Sequence, residues 1–200
     1  MKSVVYLIIF IAAVTSVSAQ EFDKNLTVAK SSYSSGDLEG ARFAIQQMLG
    51  DVDMMIGKEI LSLLPTKLGG KDYNSTSDQV TGGSGMATGL FVHRSYGTSP
   101  SMANLEIINN SPLINSINTI LTMPMMGAMV QDENQKVIRV QGYKGLLNKS
   151  VNTETGKTGY ELQLPMNNTL LTLRQEDTSE AEITSQAESL PLAQIVKLAQ

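Results

Sequence analysis

The chain has 200 residues, one histidine, no cysteine and a formal net charge of −4. That length allows one domain, or one domain with a small appendage. The lack of cysteine excludes a lipid-modified N-terminal cysteine, a disulfide, a thiolate metal site and a cysteine nucleophile, and a mildly acidic chain without a lysine or arginine cluster lacks the electrostatic footprint for nucleic acid.

The first nineteen residues read as a secretory signal: Lys2, the apolar run Val4 to Val14, then small residues ending in Val17-Ser18-Ala19. The apolar run falls short of the roughly twenty residues that span a bilayer. Cleavage after Ala19 is expected, leaving Gln20 first and no later membrane insertion. An exported, cysteine-free chain fits the periplasm of a Gram-negative bacterium, or the space outside it, better than a eukaryotic secretory route.

Residues 20–65 are expected to form a helical hairpin. Leu26, Ala29 and Tyr33 make one apolar stripe. Ser34-Ser35-Gly36 breaks that helix, and Asp37 is placed to cap the next by accepting from its free amides. Leu38, Ala41, Ile45, Met48 and Leu49 then share a face. Gly50-Asp51 is expected to end this second helix and begin a third, through Met55, Ile56, Ile60 and Leu63 to Pro65. Residues 66–85, rich in Gly, Ser, Thr, Asn and Asp, are expected to be a linker or mobile loop. "GGSGMATG" (82–89) lacks the spacing and the lysine of a phosphate loop.

Residues 86–200 are expected to form an α+β domain. Leu90, Val92 and Tyr96 alternate with Phe91, His93 and Ser95, so this run is a strand; "NLEIIN" (104–109) completes a hairpin. Ser111-Pro112 opens a helix whose buried face is Leu113, Ile114, Ile117, Ile120 and Leu121. Four strands follow at 136–142, 145–151, 159–165 and 169–175. Ser179 with Glu182 forms a capping box for a late helix, and Pro191 opens a last one. Tight turns between strands, with helices packed on one side, predict an antiparallel α+β sheet.

"AKSSYSSGDLEGARFAIQQM" (29–48) resembles a single tetratricopeptide helix pair. One such unit cannot bury both its faces, so it is expected to pack on the rest of the chain. Together with "IGKEILSLLP", "GLFVHRSY", "SPLINSI" and "VQGYKGLL", it resembles a group of exported Bacteroidetes-type proteins of unassigned function. The β-rich part is distantly similar to the sandwich of Mog1 and PsbP, which implies an accessory or binding role and carries no residues over.

His93 is the one candidate imidazole base, and its placement on a strand points to a surface residue rather than a catalytic one. The acidic residues have ordinary reasons for their positions, as caps or in first turns. The unusual stretch is "TMPMMGAMV" (122–130), where Met123, Met125, Met126 and Met129 form an adaptable apolar flap suited to a ligand or partner. The alternative is a Cu(I) site using these four thioethers with His93. The sequence therefore predicts an exported, soluble, non-catalytic binding or accessory module without a cofactor. Its expected partner is an envelope protein or an apolar small ligand. A Cu(I)-binding protein is the alternative and a hydrolase the third reading.

Overall fold

The computed structural model describes residues 21–83, 89–122 and 134–199. A first helix, α1 (21–35), ends where Gly36 adopts a left-handed φ of 81°. The Asp37 amide donates to the Ser32 carbonyl at 2.9 Å and the Gly36 amide to that of Tyr33 at 3.2 Å. This pair of bonds satisfies the last carbonyls of α1, and only glycine takes the required φ without cost. The Asp37 carboxylate then accepts from the Gly40 amide at 2.9 Å, capping α2 (Leu38–Leu63).

The second helix runs for 26 residues without a break, so Gly50-Asp51 does not divide it. A glycine inside a helix costs only about 1 kcal/mol, too little by itself to end one. The chain passes the helix at Gly82, where an added Cβ would lie 2.1 Å from the Gly50 carbonyl oxygen. The C-terminal half of α2 buries Gly57 and Ile60, followed by Leu64, against the sheet. In the N-terminal half only Ala41, Ala44 and Gly50 are buried; Leu38, Ile45 and Leu49 are exposed.

Residues 66–81 are structured, not a linker. They form a small hairpin of β1 (Lys67–Leu68) and β2 (Lys71–Asp72), a 3-10 turn (Ser75–Ser77) and β3 (Gln79–Thr81). β3 is the edge of a seven-stranded antiparallel sheet, joined by β4 (Phe91–Tyr96), β5 (Ala103–Asn109), β6 (Gln135–Val140), β7 (Tyr143–Val151), β8 (Thr158–Met166) and β9 (Thr169–Gln175). The spatial order is β3-β4-β5-β9-β8-β7-β6. The last strand is therefore inserted beside β5, at the centre.

One face of the sheet carries the main core, built on Leu90, Val92, Leu105, Ile107, Leu162 and Leu173. It is covered by α2 and by two late helices, α4 (Glu180–Glu188) and α5 (Leu192–Leu198), which contribute Ile183, Leu192 and Ile195. Ser179 caps α4 as expected, accepting from the Glu182 amide. The remaining helix, α3 (Leu113–Thr122), lies on the opposite face, where Ile114 and Ile117 bury Leu146 and Leu170. Leu113 is exposed rather than part of that buried face.

Candidate functional site

Alternation along the strands decides what the second face presents. The row Phe91, Ile108, Leu170 and Pro165 is apolar. The next row is His93, Glu106, Thr172 and Gln163, and beyond it come Ser95, Asn104, Arg174 and Glu161. Each side chain is flanked by its cross-strand neighbours with Cβ atoms roughly 5 Å away. The face thus changes from apolar under α3 to polar at its open end. A wall formed by Ser99, Pro100 and Met102 turns the open end into a cleft of about 440 Å³ that also includes Glu176.

His93 lies in this cleft, half-buried, on the face opposite the Leu90 and Val92 side chains. Its Nδ1 is 3.0 Å from the Ser77 carbonyl oxygen. A carbonyl can only accept, so Nδ1 carries the proton and a neutral ring keeps its lone pair on Nε2. That is the sole hydrogen bond of the ring among the described residues. Among the described residues no carboxylate orients it and no hydroxyl donates to it, as a nucleophilic triad would require.

The cleft is short of positive charge. Glu106, Glu161 and Glu176 face a single Arg174, whose Nη2 is 3.8 Å from Glu176 Oε1. Among the described residues, Glu106 and Glu161 have neither a hydrogen bond nor an ion pair, although Arg174 lies directly across the strand from Glu161. No described group of three His, Cys, Asp or Glu side chains has the geometry to hold a metal ion. Met123, Met125, Met126 and Met129, expected to form a flap or a Cu(I) site, lie outside the described residues, so the structure places only His93 of that set.

A second surface stands out on the α1–α2 hairpin. Of the twelve large exposed apolar side chains among the described residues, eight belong to this hairpin. Tyr33, Leu38, Phe43, Ile45, Leu49 and Met55 are each at least 50% exposed. Leu38, Ile45, Leu49 and Val52, spaced seven, four and three residues apart, lie along one stripe of α2. Scattered apolar residues are ordinary on a surface, but a contiguous apolar stripe marks an interaction site.

The sequence reading places His93 on a strand as a surface residue and does not single out Glu106, Glu161, Thr172 or Arg174. Each sits at an outward position of an alternating strand, which was a legible signal. Their meeting depends on β9 lying between β5 and β8, which strand alternation does not encode. No protein family, curated protein or solved structure matches this chain.

Proposed function

We propose that this is an exported, non-catalytic binding module that docks a protein partner on the apolar stripe of its helical hairpin. The observation that carries the reading is the concentration of exposed apolar side chains at Leu38, Ile45, Leu49 and Val52, where, among the described residues, no second helical pair stacks on this one. Residues 21–59 carry seven acidic and four basic side chains, so an anionic lipid surface would repel this hairpin and a protein surface is favoured. Export rests on Lys2, the run Val4 to Val14 and Val17-Ser18-Ala19, and points to an envelope protein as partner. The hydrogen bond of His93 to a backbone carbonyl, rather than to an orienting carboxylate, favours binding over hydrolysis.

The test replaces Leu38, Ile45 and Leu49 together with Gln, keeping helix propensity while removing the apolar stripe. Wild type, crosslinked in envelope extract of its source cell, is expected to capture a partner that the triple variant does not, with unchanged thermal melting. Light scattering of the purified protein separates a second copy from a different chain. Equal capture by wild type and variant overturns the reading.

A further inference from the structure

The geometry points to the cleft on the open half of the sheet's second face as a binding site for an organic cation, an ammonium or guanidinium group on a short aliphatic stem. This site is separate from the hairpin stripe, and the inference stands whether or not that stripe docks a partner.

Three features converge on this ligand class. The first is shape. Ligand sites usually have volumes of about 300–1,000 Å³, and the cleft, at about 440 Å³, falls in that range. Its floor is a hydrogen-bonded four-strand region and its wall the Ser99–Met102 turn, so the folded chain itself shapes the site.

The second feature is charge. Three carboxylates against one guanidinium leave an excess of two negative charges when His93 is neutral. Glu106 and Glu161 are both half-buried, and neither has a partner among the described residues. A half-buried carboxylate without a donor loses part of its hydration and gains nothing in return. Arg174 does not remedy this, because among the described residues its ion pair is the distant one to Glu176. An incoming cation supplies a missing donor to Glu106 or Glu161, whereas an anion meets repulsion.

The third feature is the pattern of acceptors beside an apolar lip. The bond from Nδ1 to Ser77 leaves His93 Nε2 as an acceptor next to Glu106, its direct cross-strand neighbour. Thr172 lies on the other side of Glu106 and offers a hydroxyl. Pro100 and Met102 form the lip, where thioether and ring carbons can cover the methylenes of a stem while its charged head reaches the floor. A bare metal ion would leave that lip unused and would find no described three-ligand group.

Agmatine and n-butylamine are the probes, with butyrate and n-butanol as controls of equal reach and different charge. Titration into isotopically labelled full-length protein is followed by backbone amide shifts. Saturable shifts confined to residues near His93, Asn104, Glu106, Glu161 and Thr172 are expected with the two cations and not with the controls. Glu106→Gln and Glu161→Gln should each weaken agmatine about tenfold, the loss of one charge-assisted bond, while melting as wild type. Added salt should weaken the wild-type response. Absence of saturable shifts, equal binding of butyrate, or full affinity in both Gln variants overturns the proposal. So does a response to Zn²⁺ that His93→Ala removes while agmatine gives none.

Discussion

Arg94 and Asp78 meet through two parallel hydrogen bonds, Nε to Oδ1 at 2.9 Å and Nη2 to Oδ2 at 2.6 Å. The same guanidinium donates from Nη1 to the Leu64 carbonyl at 3.4 Å and lies 4.6 Å from the centre of the Tyr73 ring. One side chain thus ties the end of α2 and the segment before β3 to strand β4. Residues 66–81 follow the sheet edge for this reason, although their composition reads as a loop. The Asp78 carboxylate also holds the Arg94 guanidinium in its charged form, raising its pKa against the effect of burial.

Asp78→Ala would leave that guanidinium, only 8% exposed, without its counter-charge. Breaking a buried pair on one side costs about 3–5 kcal/mol. The double variant Arg94→Met with Asp78→Leu should cost less than Asp78→Ala alone, because no buried charge is then stranded. Denaturant midpoints of the three proteins test this; a double variant that costs as much as Asp78→Ala, or more, would show that a stranded charge is not what drives the loss.

The register of alternation made most of the strands legible. Alternation puts Leu90, Val92 and Tyr96 on one face and His93 on the other, as in the structure, and the strands after residue 135 begin and end within a few residues of their expected positions. The turn at Gly36-Asp37 was legible for the same kind of reason, a local bonding requirement met by particular residues. What could not be read was long-range. Gly50 looks like a helix stop until Gly82 is seen passing over it. Asp78 and Arg94, or Glu106 and Thr172, become partners only through strand order, and no local periodicity encodes that. Leu38 and Leu49 have the spacing of core residues, yet the chain provides nothing to cover them among the described residues.

Lys71 and Glu182 give a prediction with a definite sign. Lys71 Nζ lies 2.7 Å from Glu182 Oε1, and this bond lowers the Glu182 pKa, opposed by burial and assisted by Gln175. A carboxylate whose folded pKa is lowered adds stability above its unfolded pKa of about 4.3 and loses it as pH falls through the folded value. Glu182→Gln should therefore lower the urea midpoint at pH 7 and converge with wild type as pH drops below about 4. The pair is partly exposed, so salt should shrink the difference. A gap that stays constant from neutral to acid pH would assign the effect to lost hydrogen bonds rather than to charge.

Gly57 offers the sharpest test of how α2 sits on the sheet edge. A Cβ at this position would lie 2.3 Å from Val80 Cγ1 and 2.9 Å from Leu90 Cδ1. Helix propensity alone favours Gly57→Ala by about 1 kcal/mol. Against that, Val80 is β-branched and held in β3, so its methyl cannot rotate away cheaply. Leu90 is fully buried and has no free space to move into. Overpacking of this kind costs about 1–3 kcal/mol, so the net effect of Gly57→Ala should be destabilising. Removing the obstructing methyls reverses the balance: Val80→Ala should be tolerated better with Gly57→Ala than without it. A double-mutant cycle on thermal or denaturant stability measures the coupling, expected to be favourable by about 1 kcal/mol or more. If Gly57→Ala alone raises stability, α2 does not sit against β3 and β4 at this distance.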